Sequence, residues 1–178
     1  MYKASLISTA AALTLSGAAF AGSGFTGYTG VVAEYDDGFG GNWTTINMYA
    51  NFTDDSFAVL NVFNADVFSS DAGGFNHNDL ADAQGGSWKP SFSFDIPGTA
   101  NSTIDSFITI GGGVGSQAAT NVTTPDPNLG AGLNGAIFND NVGWFLNPPT
   151  STQGDVIDFK VWVGRFVVSG AEARGGAN

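Results

Sequence analysis

The residues best suited to chemistry in this sequence lie in one segment, Gly73-Gly74-Phe75-Asn76-His77-Asn78-Asp79-Leu80-Ala81-Asp82. Together with Asp71, the side chains of Asn76, Asn78, Asp79 and Asp82 offer hard oxygen donors on a glycine-rich stretch, the set that calcium takes. Their spacing matches no standard calcium loop: the EF-hand order is absent, Asn76 stands where a calcium β-roll has its third glycine, and Asp79 comes one place late. The competing reading is a surface loop whose Asx side chains bond nearby backbone N–H groups. Asp36-Asp37-Gly38 is a second cation candidate. His77 is the one imidazole of the chain. A hydrolytic triad would also need a serine nucleophile, and no Gly-x-Ser-x-Gly elbow occurs to supply it. Zinc is disfavoured because the chain has no cysteine and no second histidine.

Aromatic rings are the other candidate machinery. Trp43 and Trp88 adjoin polar and turn residues, where an exposed indole can stack on a sugar ring; packing in the core or at its rim is the alternative. Trp144 and Trp162 fall inside strand patterns and are expected in the core. The 16 carboxylates make a glycosidase pair conceivable, one protonated and one ionised about 5–10 Å apart. No pair is marked by its surroundings, so no catalytic residue is assigned and no cofactor beyond calcium is expected. Four Asn-x-Ser/Thr sequons occur, at Asn42, Asn51, Asn101 and Asn121.

Residues 1–21 carry Lys3, an apolar run from Leu6 to Leu15 and the small-x-small site Ala19-Phe20-Ala21, the layout of a secretory signal peptide. The apolar run is shorter than the about 20 residues that span a bilayer. The expectation is a secreted or cell-surface protein with no membrane insertion after cleavage, residues 22–169 forming one domain and 170–178 a flexible tail. The charge is lopsided, five Lys and Arg against 16 carboxylates for a net −11. Nucleic acid is an ill-matched partner, since phosphate recognition needs clustered cations. Extracellular polysaccharide, a matrix protein or a second copy of the chain fits better. With no cysteine available for disulfides, apolar packing and backbone hydrogen bonds must hold the fold.

The patterning that positions these residues is period two, not helical. Ile46, Met48, Ala50 and Phe52 share one face of a half-buried strand over Thr44 to Phe52. Asp54-Asp55 reads as the turn of a hairpin into Phe57 to Asn64. Further strands are expected over Tyr28 to Tyr35, Phe92 to Ile96, Ile104 to Ile110, Val142 to Leu146 and Val156 to Val168. The last is apolar on both faces, with Phe159, Val161, Val163 and Val167 opposite Trp162, Phe166 and Val168, which suits the middle of a sheet. Ser69 to Lys89 and Gly111 to Gly135 read as long loops. Such a pattern predicts an all-β fold, an antiparallel β-sandwich of the jelly-roll or immunoglobulin-like kind with about seven or more strands.

Asp105-Ser106-Phe107-Ile108-Thr109-Ile110-Gly111-Gly112 and Val161-Trp162-Val163-Gly164-Arg165-Phe166, with the signal peptide and the cysteine-free Gly/Asn/Asp-rich composition, resemble secreted exoproteins of planctomycete-type bacteria. Many of those carry a C-terminal PEP-CTERM sorting tail. The chain departs from the pattern before Asn178, with no Pro-Glu-Pro, apolar span or basic end; the expectation is free release or a shortened form of an anchored protein. The resemblance implies association with exopolymer or the cell surface. The functional expectation is a non-catalytic matrix, structural or adhesive protein, with a carbohydrate-binding module as first alternative and a glycoside hydrolase as second.

Overall fold

The computed structural model describes residues 24–65, 74–78, 88, 95–112, 120–126, 129 and 142–170. The expected signal segment, the tail beyond Gly170, all but Asp95 and Ile96 of the strand expected over Phe92 to Ile96, most of the two long loops, and Asp71, Asp79 and Asp82 lie outside these residues. The chain is all-β, with two antiparallel sheets. In sequence order the strands are β1 (Phe25–Asp36), β2 (Asn42–Phe52), β3 (Asn61–Ala65), β4 (Phe107–Ile108), β5 (Thr123–Pro125), β6 (Val142–Leu146) and β7 (Lys160–Ser169). One sheet runs β1-β2-β7-β4, the other β3-β6-β5.

The alternation in β2 produces the expected burial: Ile46, Met48, Ala50 and Phe52 all enter the core. Their neighbours in that cluster include Val62 of β3 and Val142, Trp144 and Leu146 of β6, so both sheets contribute to one core. Trp144 also donates its indole N–H to Thr109 O at 3.0 Å, satisfying the polar edge of a fully buried ring. β7 is central, flanked by β2 and β4, as its two apolar faces require.

One detail of β7 departs from strict alternation. Met48 faces Gly164 but Tyr49 faces Trp162, so Val163 is an extra residue at a bulge. The bulge reverses parity, and Val161 and Val163 join Phe166 and Val168 in the same core. Phe159 does not share that face; it is exposed in a turn at Ile157 to Lys160 with a positive φ of 63°.

The expected hairpin between β2 and the following strand does not form. β2 pairs with β1 and β7, while β3 crosses to the other sheet and pairs with β6. Asp54 instead caps its own turn, accepting from Ser56 N at 2.9 Å and from Ser56 Oγ. β5 is a strand inside what reads as a low-complexity loop. β2 beside β7 and β3 beside β6 make a nested pairing, with β4 and β5 each at an edge of its sheet. An immunoglobulin-like order would put the last strand in the sheet opposite the first two. Here β7 lies beside β2 in the sheet that also holds β1, so the described strands do not follow the immunoglobulin-like order.

A polar network fastens β5 to the turn before β7. Gln153 Nε2 donates to Ile110 O (2.7 Å), Asn121 Oδ1 (2.9 Å) and Thr123 Oγ1 (3.1 Å), and its Oε1 accepts from Val122 N (2.9 Å). Gly111 makes the approach possible: its φ is +69°, and a Cβ there would lie 1.8 Å from Gln153 O.

Candidate functional site

The β1–β2 hairpin ends in Asp36-Asp37-Gly38-Phe39-Gly40-Gly41. Asp37 organises this turn: Oδ1 accepts from Phe39 N (2.8 Å) and Gly41 N (2.9 Å), and Oδ2 from Trp43 Nε1 (3.0 Å). These donors, the indole first, hold the Asp37 carboxyl below the usual carboxylate range. Asp36 Oδ1 accepts from Gly38 N at 2.8 Å. Both oxygens of Asp37 therefore face N–H dipoles, the wrong sign of environment for a cation, and the Asp36-Asp37-Gly38 calcium candidate becomes a capped turn. The backbone conformations at Gly38 and Gly40, φ +73° and +94°, let the turn fold back while Phe39 projects outward, 73% exposed.

Facing the hairpin tip is a second turn, Ile96 to Ala100, closed by Ile96 N–Ala100 O and Ala100 N–Ile96 O contacts, each 2.8–2.9 Å. Between the two lies a groove of about 520 Å³, with Tyr35, Asp37 and Phe39 on one wall and Asp95, Asn78 and Asn101 on the other. Buried Ile104 and Ala100 form its apolar floor. Asn101 ties the walls together by donating Nδ2 to Tyr35 OH at 3.1 Å and capping the Ser102–Ile104 turn through Thr103 N. Asp95 Oδ1 accepts from Ser102 N at 2.7 Å. Arg165 clamps the same turn from below, donating Nη1 to Ser102 O at 2.8 Å while its guanidinium lies 5.3 Å from the Phe107 and Trp162 ring centres. Beside the groove, sharing Tyr35, is a hollow of about 260 Å³ lined by Glu34, Asp36, Asn42 and Trp43.

The two tryptophan candidates separate cleanly. Trp43 is half-buried and lines the smaller hollow, so part of its ring faces open space. Trp88 is 4% exposed, packed edge-on to Phe75 and His77 with Phe166 behind. It cannot offer a stacking face and is corrected to core. His77 is equally interior, its side chain at 0% exposure and Nδ1 3.9 Å from Asp105 Oδ1, so it is removed from any substrate-facing surface.

Of the five calcium candidates, Asn76 and Asn78 are described. Asn76 donates Nδ2 to Ile104 O at 2.6 Å, and Asn78 Oδ1 accepts from Asn101 N at 3.0 Å. Both amides serve to fix the groove's inner wall. Among the described residues no group of three or more His, Asp or Glu converges on a metal position. Three sequon amides are likewise engaged, Asn51 with Gly27 O, Asn101 with Tyr35 and Asn121 with Thr109; Asn42 is exposed.

Sequence reasoning missed Phe39, Tyr35 and the turn opposite them. The signal was present in Asp-Asp-Gly-Phe-Gly-Gly: a large apolar ring between turn glycines has no strand to carry it into a core. Comparison with known proteins gives no match: no family model, curated protein or solved structure is similar to the chain.

Proposed function

We propose that this protein is an exported, non-catalytic β-domain of the cell surface or extracellular matrix, and that it adheres by holding a neutral polysaccharide in the groove between Phe39 and Asn101. The observation that carries this reading is an aromatic ring 73% exposed at the lip of a groove about 520 Å³ in volume, beside amide and carboxylate groups that accept and donate to sugar hydroxyls. Phe39 supplies the stacking face, and Tyr35 and Asn101 the fixed polar wall. Asp37, Asp95 and the net charge of −11 disfavour acidic polymers. The signal-peptide layout and the resemblance to secreted bacterial exoproteins support the extracellular half of the proposal. The hydrolase alternative loses ground at Asp37, because a general acid needs a raised pKa and this carboxyl is lowered.

Affinity electrophoresis through gels containing xylan, mixed-linkage glucan or soluble chitin derivatives tests the reading. At least one neutral polymer should retard the protein, and Phe39→Ala should migrate as in a blank gel. Equal mobility in every gel, or retardation indifferent to Phe39→Ala, overturns it.

A further inference from the structure

Among the described residues, no strand pairs with the outer edge of β1. The run from Thr29 to Glu34 is exposed at every position, so the middle of the strand has neither face covered. Val31 and Val32 point to opposite sides, and each is 54% exposed. Natural sheets blunt such an edge by keeping it short or by placing Lys or Pro on it. The far edge of the same sheet, β4, follows that rule with two residues. By contrast β1 runs for 12 residues with no Lys, Arg or Pro among them, and its one bulge, at Thr26, and its two acids, Glu34 and Asp36, lie toward its ends, leaving the middle unprotected. At about 3.4 Å per residue this is roughly 40 Å of strand whose outward N–H and C=O groups form a pairing template.

We infer that β1 is a self-association edge, and that its occupant is β1 of a second copy of this chain, antiparallel across a twofold axis at Val31. The charge layout selects the direction. Glu34 and Asp36, the charged residues of β1, both sit at its C-terminal end. A parallel in-register partner would set each acid against its own copy, a destabilising like-charge pair. The antiparallel twofold instead places Glu34 opposite Tyr28 of the partner subunit, and Asp36 at the bulge around Thr26 of the partner subunit. The two Glu34 side chains then stand about 20 Å apart along the ladder, well beyond the Debye length of about 8 Å at physiological ionic strength. The axis must pass through a residue, because only alternate residues turn their N–H and C=O outward and facing residues must share that parity.

Val31 is the midpoint of Gly27 to Tyr35, the regular stretch beyond the bulge at Thr26, and pairing over that run forms about eight new backbone hydrogen bonds. It also sets Val31 against Val31 of the partner subunit, a β-branched contact of the kind that stabilises paired strands. The interface is isologous, so it closes at two copies and consumes the edge that would otherwise propagate. Resting on the adhesion reading above, the dimer presents two grooves whose Tyr35 positions are about 27 Å apart along the ladder, a spacing at which one polymer chain can engage both.

Sedimentation velocity on the purified full chain, over a wide concentration range in about 0.15 M and about 1 M salt, tests this. A concentration-dependent dimer should appear and strengthen with salt, since each copy carries a net −11. Val31→Glu places two carboxylates face to face and should remain monomeric with an unchanged circular dichroism spectrum. Val31→Cys supplies the only thiol in a chain with no cysteine, and a short bis-maleimide should join it into a covalent dimer. Wild type that stays monomeric at every concentration and salt, or Val31→Glu that dimerises like wild type, overturns the proposal. No glycan is present in this measurement, so its failure and the failure of the adhesion reading are separate results.

Discussion

Gln153→Glu replaces one atom in a half-buried side chain and should cost more stability than its conservative chemistry suggests. The amide nitrogen donates to Ile110 O, Asn121 Oδ1 and Thr123 Oγ1. A carboxylate at that place has no hydrogen to offer and turns an oxygen toward three others, of which only the Thr123 hydroxyl can reorient to donate. Asn121 cannot rotate to relieve this, because its Nδ2 donates to Thr109 Oγ1 and its Oδ1 accepts from Thr123 N. Two lost hydrogen bonds at about 1 kcal/mol each, plus the cost of leaving Ile110 O without its donor, give a loss of about 2–4 kcal/mol at neutral pH. At about 2–4 °C per kcal/mol for a chain of this size, the melting point should fall by about 5–15 °C.

The sign of the pH dependence follows from the same contacts. The site favours the protonated carboxyl, which can donate, so the folded pKa stands above the unfolded value of about 4.3. The native state then keeps its proton longer, and the deficit relative to wild type grows as pH rises from the unfolded value through the folded one. Urea unfolding followed by tryptophan fluorescence at several pH values reads both effects. A variant within about 0.5 kcal/mol of wild type at pH 7, with a gap that does not change on acidification, would refute the reasoning.

Three further outcomes follow from single residues. The Tyr28 hydroxyl is shielded from solvent with no hydrogen-bond partner among the described residues, and burial pushes its pKa up to about 12. Tyr28→Phe should therefore gain about 1 kcal/mol by calorimetry, and the wild-type ultraviolet titration should lose its component near pH 12 in the variant. Because that folded pKa is raised, the contribution to stability is constant below the unfolded value of about 10 and declines as pH rises above it. Trp88→Phe should lower stability by about 1–3 kcal/mol in chemical unfolding while leaving gel retardation by polysaccharide intact. Phe159 holds a left-handed conformation at φ 63°, so Phe159→Gly should raise stability by about 0.5–1 kcal/mol, seen as a higher urea midpoint.

The parts of the fold written in local patterning were legible. Period two in β2 fixed its buried face, and apolar residues on both sides of β7 marked it as a central strand. What alternation could not convey was the bulge at Val163, because one inserted residue exchanges the faces of everything after it. Nor could it convey that the residues after Asp54-Asp55 leave the sheet: adjacency favours a hairpin, while the nested pairing of β2 with β7 depends on contacts more than a hundred positions away. β5 escaped notice since Thr-Thr-Pro is too short to alternate. At the site, polar neighbours in sequence made Trp88 look accessible, yet Phe75 and Phe166 cover it from distant positions. Phe39 was the reverse case, an apolar ring whose exposure follows from the glycines that carry it.

The most direct test of the central claim is a map of where a neutral glycan touches the chain. Backbone amide spectra of the isotopically labelled protein, recorded during titration with hexasaccharides of the neutral polymers named above, supply that map. The account predicts saturable shifts at Tyr35, Phe39, Gly98 and Asn101, lost together in Phe39→Ala. Shifts that gather instead on the outer face of the second sheet, around exposed Phe63 and Phe145, or no shifts at all, would contradict it.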